Sequence, residues 1–297
     1  MVSVNPLPSV KDFNLLFSSI VKMKHYTAAI SLIKHFFCSG LKSNICTLNI
    51  VVKLSVPFES HSLCLLCGGD DVQNRINKAI YLLDEMIKKG LKLDVVTWNT
   101  LIHGFCKVGK PLAAKELFFT MHKFGQYPNL SSCATILDGL FKCHLSSDAI
   151  SLFREIEKNN LDLNIEIYNV VLDGMCRAGK LNDACELFSC LPAKGLKPDL
   201  YTYTIMIQGL CREGVLIDAE ELLMNMEEHG CLPDSCTYNV FIQGLLRRNA
   251  ALKSIKYFQI MKDKGFAANA TTMELLVDYL STHKGENVSQ EFVQKIV

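Results

Sequence analysis

Residues 99–110 read NTLIHGFCKVGK, and close copies follow as NVVLDGMCRAGK at 169–180 and TIMIQGLCREGV at 204–215. Their starts lie 35 residues apart or twice that, which sets five units at 95–129, 130–164, 165–199, 200–234 and 235–269. Recurrence at a fixed period of this size is the signature of a solenoid, in which each unit buries its apolar face against the next. One shared globular enzyme core is thereby excluded.

Within a unit the period is helical. Trp98, Leu101, Ile102, Phe105 and Cys106 follow i, i+3, i+4, i+7, i+8 and make one apolar stripe. Gly109, Gly179, Gly214 and Asn249 recur at the fifteenth place, where a left-handed residue ends a helix at low cost; His144 breaks that pattern in the second unit. A second stripe follows (Leu117, Phe118, Met121; Leu222, Leu223, Met226) and closes on glycine and then on Pro128, Pro198 or Pro233, which cannot continue a helix. Each unit is expected to be a helical hairpin. Gly104, Gly139, Gly174, Gly209 and Gly244 sit inside the first helix, where each costs about 1 kcal/mol relative to alanine. The expected compensation is close approach to the partner helix of the same hairpin, at Ala114, Ala149, Ala184, Ala219 and Ser254.

Outside the regular array, residues 1–9 form a stub and 10–44 fit the same frame, with Asn14 and Asn44 at matching places. The stretch 45–94 is 50 residues long and reads as a damaged repeat or an insertion, and 270–297 reads as a capping helix with a tail. The first 25 residues carry Lys11, Lys22 and Lys24 but also Asp12 and no arginine, which is not a transit-peptide pattern. No apolar run approaches the ~18 residues of a membrane span.

Charge is nearly balanced, 31 Lys and Arg against 30 Asp and Glu, so a polyanion must be held by placement and not by the total. Placement is regular: Lys107, Lys142, Arg177, Arg212 and Arg247 occupy the thirteenth place, and Lys22 matches it in the first frame. One cation per unit suits a threaded phosphate backbone, although a solvated helix C-terminus also favours cations. The fifth place holds Asn99, Ala134, Asn169, Thr204 and Asn239; the last holds Asn129, Asn164, Asp199, Asp234 and Asn269. Thr97, Thr202 and Thr237 stand where a helix cap is expected, which leaves the fifth-place polar groups surplus to capping.

Thirteen cysteines without a secretory signal fit thiols in a reducing compartment. Cys106, Cys176 and Cys211 recur on separate helices and read as core; Cys64 and Cys67 form one C-x-x-C with only His61 nearby, short of the four ligands of a zinc site. No metal, cofactor or enzyme motif emerges.

The aromatic followed by Asn or Thr, the G-x-C-[KR]-x-G turn and the G-x-x-P-[DN] ending over 10–269 resemble the pentatricopeptide repeat family, and within it the plain class with fertility-restorer-like plant members. The resemblance implies an all-α, right-handed superhelical solenoid of helix-turn-helix repeats. It implies a monomeric, non-enzymatic, sequence-selective binder of single-stranded RNA, reading one base per repeat, in organelle transcript processing, stability or translation. The mitochondrion is the implied compartment, with the plastid as the alternative and organellar RNA-processing proteins as partners. In the family the fifth and last residues read a base edge and the second packs beside it, here Val96 and Tyr201 among others, while Glu166 departs from the usual aliphatic residue. Carried over, Asn99 with Asn129 and Asn239 with Asn269 favour pyrimidines, as does Asn14 with Asn44. Asn169 with Asp199 favours uracil and Thr204 with Asp234 guanine; Ala134 with Asn164 has no reading, because alanine offers no hydrogen bond, and with the chain running N to C along RNA 5′ to 3′ the implied core is pyrimidine, any base, U, G, pyrimidine. At ~1 to 3 kcal/mol per matched base, four readable slots supply at most ~4 to 12 kcal/mol of discrimination. Two alternatives stand beside this reading: a helical-repeat scaffold for peptides, and a shortened family member with weak RNA binding.

Overall fold

A computed structural model describes residues 94–159 and 161–282. The stub at 1–9, the frame at 10–44 with Asn14, Lys22 and Asn44, the irregular stretch up to residue 93 with the Cys64 and Cys67 pair, and the segment beyond 282 lie outside the described residues. Among the described residues there are 11 α-helices and no strand. They are α1 (Val95–Lys107), α2 (Pro111–Thr120), α3 (Leu130–Lys142), α4 (Ser146–Lys158), α5 (Ile165–Arg177), α6 (Leu181–Cys190), α7 (Leu200–Glu213), α8 (Leu216–Glu228), α9 (Ser235–Arg247), α10 (Ala251–Asp263) and α11 (Ala270–Thr282). The chain divides into two compact units, 1–149 and 150–297, and the division falls inside α4.

The period explains where helices begin and end. A first helix starts at Val95, Leu130, Ile165, Leu200 and Ser235, and again at Ala270, each time at the first place of the 35-residue frame. Each second helix starts at the seventeenth place, from Pro111 to Ala251. Between them the fifteenth residue is left-handed in all five hairpins: Gly109, Gly179 and Gly214, but also Asn249 at φ 55° and His144 at φ 61°. His144 therefore interrupts the sequence pattern without interrupting the turn. The reason is the pair of bonds that closes it. The N–H of Leu145 reaches back to the carbonyl of Leu140 at 3.0 Å, as Lys110 does to Phe105 and Lys180 to Met175 at 2.9 Å. Satisfying the orphan carbonyls at the helix end repays the modest cost of a non-glycine residue there.

Packing within each unit follows the order of the hairpins. In the first, α1 lies against α2 and α3; in the second, α5 packs on α7, α7 on α9 and α9 on α11. The second unit's core runs continuously through Tyr203, Ile207 and Leu210, then Phe241, Ile242 and Leu245, to Leu276 of the terminal helix. The glycine row has a different partner from the one its sequence suggests. Gly139 lies over Cys106, Gly209 over Cys176 and Gly244 over Cys211, each on the first helix of the preceding repeat. A Cβ at any of the three would fall inside the ~3.5 Å separation of non-bonded atoms. At these three positions the glycine therefore sets the spacing between repeats and not within a hairpin, while Ala114, Ala184, Ala219 and Ser254 are fully buried on the second helices. The same contacts explain the recurrent cysteines: burial pushes the thiols of Cys106, Cys176 and Cys211 up to about 12, so they pack as small apolar groups. No described helix is long and apolar enough to cross a membrane.

Candidate nucleic-acid interface

The last residue of each repeat begins the next helix. Asp94, Asn129, Asn164, Asp199 and Asp234 have extended backbones at the N-cap, and each side chain accepts the N–H of the residue three further on. Thr97, Thr202 and Thr237 are consequently not the caps that their position suggests. They are the third helical residues, whose N–H groups the caps satisfy, with Asp199 accepting from Thr202 at 2.7 Å and Asp234 from Thr237 at 2.8 Å. The last-place groups thus hold fixed directions. Asn129, Asp199 and Asn269 are exposed, and Asn164 and Asp234 are half-buried. Burial would raise the Asp199 carboxyl, but hydrogen bonds from the backbone and hydroxyl of Thr202 and from Asn169 outweigh it and hold the group below the usual carboxylate range.

The fifth-place side chains lie deeper. Asn169 is 3% exposed, Thr204 9% and Asn239 2%, whereas Asn99 and Ala134 are half-buried. Their polar atoms meet the third-place hydroxyl of the following repeat. Ser132 donates to Asn99 Oδ1 at 2.6 Å, Thr202 to Asn169 Oδ1 at 2.7 Å and Thr272 to Asn239 Oδ1 at 2.6 Å; the Thr204 and Thr237 hydroxyls lie 3.0 Å apart. This ladder joins neighbouring first helices, and its third-place members escape the sequence reading because a Thr near a helix start is ordinarily local. Its signal is in the sequence nonetheless: the partners are always 33 residues apart. The two exceptions fall together, since Ala134 is followed 33 residues on by Ile167.

Second-place side chains are open to solvent. Val96, Ser131, Glu166, Tyr201 and Cys236 are all exposed, Val96 to 56% and Tyr201 to 61%. Exposing a tyrosine and a valine at the same register costs apolar burial, and a flat partner that covers them regains it. In the second unit α5, α7 and α9 lie side by side, which gives consecutive repeats an equivalent set of one exposed second-place, one buried fifth-place and one capping last-place side chain.

The cations at the thirteenth place are exposed but not equivalent. Lys142 pairs with Asp138 at 2.6 Å and Arg177 with Asp173 at 2.8 Å, both one turn back on the same helix. Arg212 and Arg247 have Gln208 and Gln243 at that position, and no ion pair engages them among the described residues. Two of the five described cations are thus paired locally, through ninth-place acids that a count of cations alone does not reveal.

Family profiles match these same residues. A profile described as PPR repeat family matches 93–142 and 163–212, one described as pentatricopeptide repeat domain matches 189–245, and one described as PPR repeat matches 131–161 and 236–266. A chloroplastic pentatricopeptide repeat-containing protein of Arabidopsis thaliana is 26% identical over 152 residues, 51% of this chain and 18% of the relative. A mitochondrial one from the same plant is 46% identical over 52 residues, 18% of this chain and 10% of the relative. The crystal structure of the maize pentatricopeptide repeat protein PPR10 superimposes with a TM-score of 0.58 at 18% identity, over 99% of this chain and 51% of that one. That protein has also been crystallised with an 18-nt psaJ RNA element. The chain therefore spans about half of the solved relative, and its matched stretches under a fifth of the two plant proteins.

Proposed function

This chain belongs to the pentatricopeptide repeat family, and from that footing we propose that it binds single-stranded RNA selectively, one base to a repeat. The observation that carries the reading is the equivalence of α5, α7 and α9 in the second unit: the same three places recur with an exposed, a buried and a capping side chain. A base edge meets the last-place group and the rim of the fifth-place side chain, while the second-place residue covers a base face. Such stacking contributes about 1 to 3 kcal/mol per base.

In the second unit the slot of Asn169 and Asp199 takes uracil, that of Thr204 and Asp234 guanine, and that of Asn239 and Asn269 a pyrimidine. In the first, Asn99 with Asn129 takes a pyrimidine. Val96 and Tyr201 are the packing residues. Lys107, Lys142, Arg177, Arg212 and Arg247 are the phosphate partners; Lys142 and Arg177 exchange a carboxylate for a phosphate on binding, so Arg212 and Arg247 contribute more to affinity. The action is occupancy: a gripped transcript is shielded from nucleases, refolded or presented to processing proteins by a monomeric chain. The relatives' names carry both organelles, and the mitochondrion is the first assignment with the plastid behind it.

A gel-shift selection from a short RNA library at moderate salt tests the reading. Enrichment of a U-G core, with the guanine preference lost in a Thr204→Asn, Asp234→Ser double variant, is the expected result. Failure to retain any RNA would refute it and leave the exposed row to a protein partner.

A further inference from the structure

Glu213 and Arg248 occupy the fourteenth place of successive repeats, at the end of α7 and just past the end of α9. Both lie by the turn of the preceding repeat. A Cβ at Gly179 would stand 3.8 Å from Glu213 Oε1, and one at Gly214 would stand 3.3 Å from the guanidinium carbon of Arg248. The Arg248 guanidinium also donates to the carbonyl of Arg212. The two joints of the second unit therefore differ in sign. Where α5 meets α7, Glu213 brings a carboxylate, and Arg177 is already paired with Asp173. Where α7 meets α9, Arg248 brings a guanidinium to the backbone of Arg212, itself a cation. Arg212, Arg247 and Arg248 are exposed, and no ion pair engages them among the described residues.

The dipole of α7 places about half a negative charge at its C-terminus, which one arginine answers. Two arginines exceed it, and the excess favours an anion. The carbonyl contact uses one of the five N–H donors of Arg248 and holds its planar fork, which leaves the others for phosphate oxygens at little further cost in order. Building on the RNA-binding reading above, on which this inference rests, we propose that the fourteenth place sets how firmly each joint holds the RNA backbone. Arg248 is a phosphate-binding residue that shares with Arg212 the linkage following the guanine. Glu213 weakens the hold on the linkage between uracil and guanine. The grip of the second unit is thus concentrated between α7 and α9.

The test measures the affinity of the full chain for a labelled strand carrying the pyrimidine, any base, U, G, pyrimidine core across a range of chloride concentrations. Arg248→Gln should make the slope of log K against log salt shallower by about 0.7, the loss of one phosphate contact on a single strand. It should weaken strands with the U-G and G-U cores by the same factor, because phosphate carries no sequence. Arg248→Lys keeps the charge and should keep the slope. Arg154→Gln removes an arginine from α4 and should leave the slope unchanged. On a strand with a neutral methylphosphonate after the guanine, Arg248→Gln should cost no further affinity. Glu213→Arg avoids any folding defect of Arg248→Gln, and should steepen the slope by about 0.7 through a new contact at the α5 and α7 joint. If neither Arg248→Gln nor Glu213→Arg moves the slope beyond what Arg154→Gln does, or the methylphosphonate strand loses as much as the natural one, the phosphate role is overturned while RNA binding stands. If wild type retains no RNA, the RNA-binding reading fails and takes this inference with it.

Discussion

Helices α7 and α8 belong to one hairpin, yet nine residues of α7 are buried and only Ala219, Leu223 and Met226 of α8. The first helix opens on an aspartate cap and shares hydroxyl and amide contacts with its neighbours; the second opens at Val215 with no side-chain cap. Across repeats the second halves of the hairpins meet through half-exposed ion pairs, Lys194 just past α6 with Glu157 at 2.6 Å, and Lys253 with Glu220 and Lys264 just past α10 with Glu227 at 2.5 Å. Directional, buried contacts fix register, whereas half-exposed ion pairs are screened and adjustable. The first helices are therefore the more tightly held layer, on which the proposed base-reading row can keep its geometry, and the second helices follow it.

The sharpest way to break this contrast is at the glycine and cysteine contact. Gly244→Ala should destabilise the chain by about 2 kcal/mol in urea melts despite alanine's higher helix propensity, because its Cβ enters the space of Cys211. Adding Cys211→Gly should recover more than half of that loss in a double-mutant cycle, and simple additivity would argue against the contact. The same sulfurs should resist native alkylation: Cys176 and Cys211 are buried with thiols pushed up to about 12, whereas Cys236 is exposed. Mass spectrometry after a short iodoacetamide pulse at pH 8 should find Cys236 labelled and the other two unmodified until the chain unfolds.

A smaller effect compares helix starts. Asp234→Ala removes the α9 cap and should lower stability by about 1 kcal/mol, whereas Val215→Ala at the uncapped start of α8 should change it far less, both read by thermal melts.

The smallest effects belong to the outer ion pairs, and pH reveals them. Hydrogen bonding from Lys253 holds the Glu220 carboxyl below its ordinary value against partial burial, with Tyr257 assisting. Burial opposes the same shift at Glu157, where hydrogen bonds from Lys194 and Tyr168 prevail. The folded chain thus binds fewer protons than the unfolded chain around these groups' titration range. Their contribution is fully present above the unfolded carboxylate range near pH 4 and is lost as pH falls through the lower folded values. Lys253→Gln should reduce stability by under ~1 kcal/mol at pH 7 and flatten the acid limb of the stability curve. An unchanged acid limb would remove Lys253 as the cause.

The helical hairpins were legible because apolar spacing and turn residues repeat together; even His144, a misfit by residue type, takes the left-handed turn because the closing bonds are backbone ones. Which residue faces which across repeats was much less legible. By sequence the glycine row faces the partner helix of its own hairpin, whereas packing sets Gly139, Gly209 and Gly244 against the preceding repeat. Thr202 looked like a cap because a threonine near a helix start often is one, while Asp199, one turn earlier, takes the position. The fifth-place residues stand out by periodicity, but periodicity carries no depth, and the burial of Asn169, Thr204 and Asn239 emerges only from stacking. The ninth-place acids that pair Lys142 and Arg177 were in plain view, and a count of cations passed over them.

The most direct measurement is a fluorescence-anisotropy titration of the intact chain with two single-stranded RNAs identical except that the U-G pair is exchanged for G-U. Rigid repeats reading one base each should bind the U-G strand at least about tenfold more tightly, the discrimination expected of a matched base contact. Equal affinity for the two strands, or binding to neither, would contradict the account.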